Sequence, residues 1–308
     1  MDVILHVGSH RTATTTLQSH MAEHRTELGA GGVVYWGPKV ARGGLFRGAI
    51  GGVDRIMSWQ QRRFNGRCAM RAEAVRQTGA SHLIISDENM IGSLRATLED
   101  TVLYHDAGRR VSACAGGFSR HRLTVGLCVR SYVDWWTSAM AFRLSRGGPL
   151  PRTDLREHLV TQPRRWRHVV EEIARVLPDA TLLVWTYEAL GDKPHLVLEE
   201  LCGIATPPSR AMRRNASPPA AELRDLMRTC GIDPLHFHWP EGKFMPFADH
   251  EVAALNAQYD EDLAWFANGA GGFADFIDAP AAQTLNEDAE RTVDGRGTTN
   301  DPDHRNLA

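Results

Sequence analysis

The segment Val3-Ile4-Leu5-His6-Val7-Gly8-Ser9-His10-Arg11-Thr12-Ala13-Thr14-Thr15-Thr16-Leu17-Gln18 constrains this chain more than any other, because an apolar strand runs through a hydroxyl-rich turn into a helix. A strand that feeds a helix in this way belongs to α/β architecture, where the helix crosses back over a sheet. Successive backbone N–H groups at such a turn and helix start point at one place, and the helix dipole favours negative charge there. Thr14, Thr15 and Thr16 add hydroxyl donors, and Arg11 adds a permanent cation whose planar fork suits phosphate or sulfate oxygens. Ser9, Thr12 and Ala13 complete the turn. Ser and Thr are also ordinary helix N-caps, so a plain capping run is the competing reading. Four Thr within five residues, together with Arg11 and an N-terminal strand, favour anion binding.

Short apolar runs recur at Val3 to Val7, Val33 to Trp36, Leu83 to Ile85, Leu123 to Val129 and Thr181 to Trp185, separated by stretches of helical character. Their brevity, their valine and isoleucine content and their polar ends read as strands of a parallel sheet. Helices are expected over Thr14 to Arg25, Ser131 to Arg146, Arg164 to Val176 and His250 to Phe266. The expected fold is therefore α/β, a P-loop-like three-layer arrangement with a central parallel sheet of about five strands flanked by helices. Residues 1–279 read as a single domain. Residues 280–308 carry little apolar content and read as a disordered tail.

The chain has 308 residues, 35 basic and 37 acidic, so no global field exists to hold nucleic acid or an anionic membrane, and any anion must be bound by local groups. Cys68, Cys114, Cys128, Cys202 and Cys230 are scattered without C-x-x-C spacing, which argues against a disulfide framework and a zinc site and favours a reducing cytoplasm. No signal-like segment or membrane-length apolar run stands out, so the expectation is a soluble protein that does not insert into membranes. His236 and His238 lack the Cys or patterned carboxylates that would complete a metal site, and no metal is expected. The glycines around Gly29 to Gly32 precede a strand and do not form a dinucleotide fingerprint.

A nucleotide-hydrolysing P-loop reads G-x-x-x-x-G-K-[ST], whereas this chain, counted from Gly8, has Ala13 for the second glycine and Thr14 for the lysine. The segment instead resembles the 5'-phosphosulfate-binding loop of the sulfotransferases, particularly a bacterial branch whose loop reads roughly His-x-Gly-x-x-Lys-Thr-Gly-Thr-Thr. Arg11 stands where that family usually has Lys, and Ala13 where it usually has Gly. Arg is a poor proton donor, and Ala13 is strained if the loop needs a positive φ. The stretch Val129-Arg130-Ser131 through Ser138 is similar to the family's 3'-phosphate motif, which implies that Arg130 and Ser138 hold a second phosphate. Ser86-Asp87-Glu88 resembles its Ser-x-Glu segment, implying Glu88 as the general base, with Asp87 as fallback and His10 as a lower-ranked alternative. His6, inside the strand, reads as a hydrogen-bonded core residue. Weaker likenesses are Tyr187-Glu188 after the fifth run and Arg213, Arg214, Asn215 and Ser217, which would close over the adenosine or its 3'-phosphate.

The resemblance implies an enzyme that transfers a sulfuryl group from 3'-phosphoadenosine 5'-phosphosulfate to a hydroxyl or amine by in-line displacement. Arg11 and the Thr14 to Thr16 donors would then stabilise the departing phosphate. The acceptor would be a small molecule, carbohydrate or lipid, with pocket walls from Val40 to Trp59 and Met140 to Asp154. Two other readings stay open. One is a P-loop kinase or nucleotidase using Mg-ATP, with Asp87 holding the magnesium. The other is a degenerate nucleotide-binding protein without catalysis.

Overall fold

Parallel strands buried on both faces must be apolar at nearly every position, and the first strand meets that demand: Val3, Ile4, Leu5 and Val7 are all 1% exposed or less. The structure, a computed structural model, describes residues 1–46, 49, 58–148, 153–208 and 218–277, the side chains of 153–156 excepted. Within the compact unit Met1–Asp278 the principal elements are β1 (Asp2–Gly8), α1 (Thr14–Glu23), β2 (Val33–Trp36), α2 (Ser58–Gln77), β3 (His82–Ser86), α3 (Ala107–Ala115), β4 (Arg122–Val129), α4 (Tyr132–Ser145), α5 (Trp166–Val176), β5 (Thr181–Thr186), α6 (Pro194–Cys202), α7 (Ala220–Thr229), α8 (Asp249–Ala267) and β6 (Asp275–Ile277). The region 280–308, expected to be disordered, lies outside the described residues.

All strands pair in parallel, in the order β2-β3-β1-β4-β5-β6. The sheet is thus α/β and parallel as expected, with six strands rather than about five. The extra one, β6, is three residues long and pairs only with β5 at the sheet edge. The two faces are chemically distinct. Val3, Leu5 and Val7 join the large core cluster with Trp135, Trp136 and Trp166, whereas His6 turns the other way, stacks on Trp185 at 5.7 Å and bonds Ser86 Oγ through Nδ1 at 2.7 Å. His6 is therefore a core residue, hydrogen-bonded as such burial requires.

Where helices press hardest on one another, sequence supplies glycine. A Cβ on Gly108 of α3 would lie 2.7 Å from the carbonyl oxygen of Glu172 on α5, and that same glutamate accepts the Gly108 N–H through Oε1 at 3.1 Å. A buried polar knot joins α4, α5 and α8: Tyr132 Oη donates to Asp262 Oδ2 at 2.6 Å, and the Trp166 N–H reaches the same carboxylate at 3.0 Å. Trp166 also donates its indole N–H to the carbonyl of Arg130 at 2.8 Å, so the knot fixes the end of β4. Among the described residues no helix is long and apolar enough to cross a membrane, and all five cysteines are free thiols.

Because every strand points the same way, Gly8, Ser86, Val129 and Thr186 end at one edge of the sheet. The chain leaves β1 for the β2–β3 side and then crosses to β4 on the other side, so β1 sits at a topological switch point. Open α/β sheets bind ligands in the crevice outside the carboxyl ends at such a point.

Burial depresses two histidines far below their ordinary value of 6.5. His6 and His20 are each pushed down to about 4, His6 by burial against the pull of Glu88, and His20 by burial with His24 and His195 adding to it. The unfolded chain therefore binds protons that the folded chain rejects, and stability present above about pH 6.5 is lost as pH falls toward 4. Urea denaturation at pH 7.5, 6, 5 and 4.5 should show a midpoint that declines steadily below about pH 6.5. A midpoint independent of pH across that range would contradict the buried, neutral assignment.

Candidate functional site

The loop between β1 and α1 folds through two left-handed residues, Arg11 at φ 64 and Ala13 at φ 58, ψ 21. Ala13 is the N-cap of α1 and contributes no side-chain cap; its carbonyl starts the helix by accepting Thr16 N–H at 2.8 Å and Leu17 N–H at 3.1 Å. The first N–H groups of a helix lack the i−4 partner of later turns, so the start of α1, apart from the Thr16 N–H given to Ala13, presents its N–H groups at the switch point. The threonines divide their work. Thr12 and Thr14 donate their hydroxyls to the Ser9 carbonyl at 2.8 and 2.9 Å, which ties the loop into a ring and commits those protons internally. Thr14 can then offer an anion its backbone N–H but not its hydroxyl proton. Thr16 is nearly buried, and Thr15 is partly exposed.

Gly8 explains how the loop meets β3. Its φ is +105, and an added Cβ would stand 3.0 Å from Glu88 Cβ, so the turn after β3 packs directly on the turn after β1. His10 is held from both sides: its N–H donates to Tyr104 Oη at 3.0 Å and its carbonyl accepts the Trp135 indole N–H at 2.8 Å. Trp135 and Trp136 are both core, and Trp135 also serves the loop. The His10 ring bonds Tyr104 Oη through Nδ1 at 2.9 Å. Tyr104 is positioned in turn by Arg164, which donates to the Leu103 and Tyr104 carbonyls at 2.5 and 2.6 Å.

Asp87 and Glu88 behave differently although adjacent. Asp87 is fully buried and grips Arg42 through both oxygens at 2.9 Å, while Oδ1 also accepts the Asn89 N–H and side-chain amide. Its lone pairs are committed, so it serves as an anchor for Arg42 and for the turn at Asn89. Glu88 keeps its side chain partly open, with Oε1 taking Arg42 at 3.0 Å and Oε2 taking Gln18 at 3.2 Å. Burial alone would raise its pKa, but His10, its own backbone N–H, Arg42 and Gln18 outweigh burial and hold it below 4.5. His10 is pushed below 6.5 by burial against Glu88, Asn89 and Asp87. At neutral pH the pair is a carboxylate beside a neutral imidazole.

On the β4 side stand Arg130 and Ser138. Arg130 lies over the Tyr187 ring at 4.2 Å, donates through NH1 to the Arg11 carbonyl at 2.9 Å, and has a buried Nε without a hydrogen-bond partner among the described residues. The exposed carboxylate of Asp134 is 4.0 Å from Arg130. Arg11 reaches α4. Its Nε donates to Ser138 Oγ at 2.9 Å and its guanidinium packs on Phe142 at 4.9 Å, one turn further along α4. Burial and the like charge of Arg130 bring its pKa down to about 10, so it stays cationic. Glu188 braces the neighbourhood by accepting the Ser131 N–H and the Tyr259 hydroxyl, both at 2.9 Å.

Ser9, His10, Arg11, Thr12, Ala13, Thr14, Thr15, Thr16, Glu88, Arg130 and Ser138 thus share one sheet edge. Arg213, Asn215 and Ser217 lie outside the described residues, as do parts of the two segments read as acceptor walls. Sequence reasoning missed Arg42, Tyr104, Gln18 and Trp166. Among the described residues no group of three or more His, Cys, Asp or Glu could hold a metal ion. No family model matches the chain, no curated protein matches it, and no solved structure matches it.

An L-residue in the left-handed region carries a steric penalty that glycine escapes, partly offset by glycine's larger unfolded-state entropy. Ala13→Gly should therefore raise stability by about 0.5–1 kcal/mol in urea denaturation. A loss of stability would show that Ala13 does not hold this conformation.

Proposed function

We propose that the protein is a sulfotransferase that takes its sulfuryl group from 3'-phosphoadenosine 5'-phosphosulfate. The observation that carries this reading is a convergence at the switch point: the first turn of α1, the accessible carboxylate of Glu88 and the Arg130–Ser138 pair meet at the ends of β1, β3 and β4. A donor with a phosphosulfate at one end and a separate phosphate on its ribose needs two anion sites and a base between sheet and acceptor. The resemblance of the same residues to the sulfotransferase motifs supports the assignment.

In the proposed reaction the acceptor oxygen attacks sulfur as its proton passes to Glu88. The bond between sulfur and the bridging phosphate oxygen breaks, and its electron pair stays on the departing nucleotide. The N–H groups of the α1 start face the phosphate on which this charge grows. Arg130 and Ser138 take the ribose phosphate, and Arg42 and Gln18 each bond one oxygen of Glu88 and hold it ionised while its side chain stays partly open. An acceptor amine would lose its proton by the same route.

The magnesium-dependent kinase reading finds less support. It needs a strand-end carboxylate for the ion, and Asp87 already gives both oxygens to Arg42. The departure at Ala13 does not prevent the loop, since the residue adopts the left-handed conformation that glycine would. Donor binding without catalysis would remain if no acceptor fits.

Calorimetric titration with adenosine 3',5'-bisphosphate should give tight binding to the wild type, weak binding of Mg-ATP, and loss of at least about tenfold on Arg130→Ala. Preference for Mg-ATP, or no nucleotide binding, would overturn the reading. With an acceptor in hand, Glu88→Gln should leave donor affinity within about twofold and slow transfer by about a hundredfold or more. An unaffected rate would remove Glu88 as the base.

A further inference from the structure

The chain as a whole is close to neutral, with a formal charge of -2, yet α2 gathers cations. Arg62, Arg63, Arg67, Arg71 and Arg76 stand on it against the single acidic residue Glu73. Glu73 is taken by Arg76, which donates to its two oxygens at 2.8 and 2.6 Å. Among the described residues Arg62, Arg63 and Arg71 enter no ion pair, and Arg63 lies over the Trp59 ring at 5.8 Å. Helix electrostatics does not ask for cations here: the first turn of α2 has no acidic residue, and positive charge near a helix N-terminus opposes its dipole.

The same helix shows apolar side chains to solvent. Phe64, Cys68 and Ala72 are 2% exposed or less and tie α2 to the core. Opposite them lie Trp59 and Met70, eleven residues and so about three turns apart on one stripe. Trp59 is 48% and Met70 71% exposed, which makes them two of the four exposed large apolar residues among those described. At about 100° per residue, Arg62 and Arg63 fall on either side of this stripe and Arg71 beyond Arg63. We propose that this face of α2 docks on an anionic lipid bilayer, the helix lying flat with Trp59 and Met70 among the headgroups and the arginines against lipid phosphates. A soluble polyanion would engage the arginines and leave Met70 in water, whereas a bilayer offers an apolar layer beneath its anions and takes both kinds of side chain. Because α2 leads directly into β3, it runs antiparallel to the strands, and its Trp59 end lies at the edge where they finish. Phe64 meets Phe46 at 5.2 Å, and four residues before Phe46 stands Arg42, bonded to Glu88. Docking through α2 therefore holds the candidate site beside the membrane surface without a helix crossing it.

Flotation of the full chain with phosphatidylcholine vesicles, with and without phosphatidylglycerol, tests the proposal. Binding should be confined to the anionic vesicles and weaken by about tenfold between about 0.1 and 0.5 M salt. Arg62→Gln/Arg63→Gln/Arg71→Gln should weaken it by about a hundredfold, and Arg62→Lys/Arg63→Lys/Arg71→Lys, which keeps the charge, should stay within about threefold of the wild type. Trp59→Ser/Met70→Ser should weaken it by about tenfold. All five positions are exposed, so each variant should keep the wild-type urea midpoint, which shows that it is folded. Binding to neutral and anionic vesicles alike, binding to neither, or an unaffected glutamine variant would overturn the proposal. So would capture by heparin in place of vesicles, which would mark a soluble polyanion, or self-association in place of vesicle binding that is lost in Trp59→Ser/Met70→Ser, which would mark a second copy of the chain.

Discussion

The backbone of His10 is clamped between two buried aromatic residues: Tyr104 takes its N–H and Trp135 gives an N–H to its carbonyl. The site is built around this clamp. A loop that has left its strand cannot satisfy its own backbone by regular pairing, and each buried group left unpaired costs about 1–3 kcal/mol. Tyr104 and Trp135 meet that need on the two peptide bonds flanking His10, between the strand and its left-handed turn. They are not independent of the fold. Tyr104 is held through Arg164, which also pairs with Glu172 of α5 at 2.5 Å, and Trp135 stacks edge-on against Trp166, whose indole fixes the Arg130 carbonyl. One aromatic layer thus sets both the loop after β1 and the end of β4.

Around the clamp, charge is arranged in two groups. On the β3 side Arg42 faces two carboxylates, fully satisfying Asp87 and partly satisfying Glu88, which leaves one ionised group able to accept a proton. On the β4 side the Arg130 guanidinium bonds the Arg11 carbonyl, and Arg11 in turn bonds Ser138. In the proposed function the carboxylate that takes the proton and the cation that takes the ribose phosphate therefore stand on opposite sides of β1.

Much of this was legible in the sequence. β1 through β5 announce themselves as apolar runs ending in polar residues, because strands buried on both faces cannot alternate. β6 could not be seen, since Asp275-Phe276-Ile277 is too short to form a run and exists only by pairing with β5. That Arg130, Glu88 and the Ser9 to Thr16 loop lie together was legible because each directly follows a strand, and parallel strands end at one edge. Arg42 was not, although a buried Asp87 requires a cation: with 35 Lys and Arg in the chain, spacing cannot name which one answers. Tyr104 carries no local pattern, and its contact with the loop joins residues 94 positions apart. The direction of Arg11 was also hidden: its contacts Ser138 and Phe142 lie more than a hundred residues on in the chain.

The central claim is that one bisphosphate nucleotide spans the switch point, and a crystal structure of the protein with adenosine 3',5'-bisphosphate tests it most directly. The account predicts the 5'-phosphate against the N–H groups at the start of α1, the 3'-phosphate on Arg130 and Ser138, and Glu88 uncovered beside the 5' end. Density for the nucleotide at any other edge of the sheet, or a phosphate bound through a metal at Asp87 with Arg42 displaced, would contradict it.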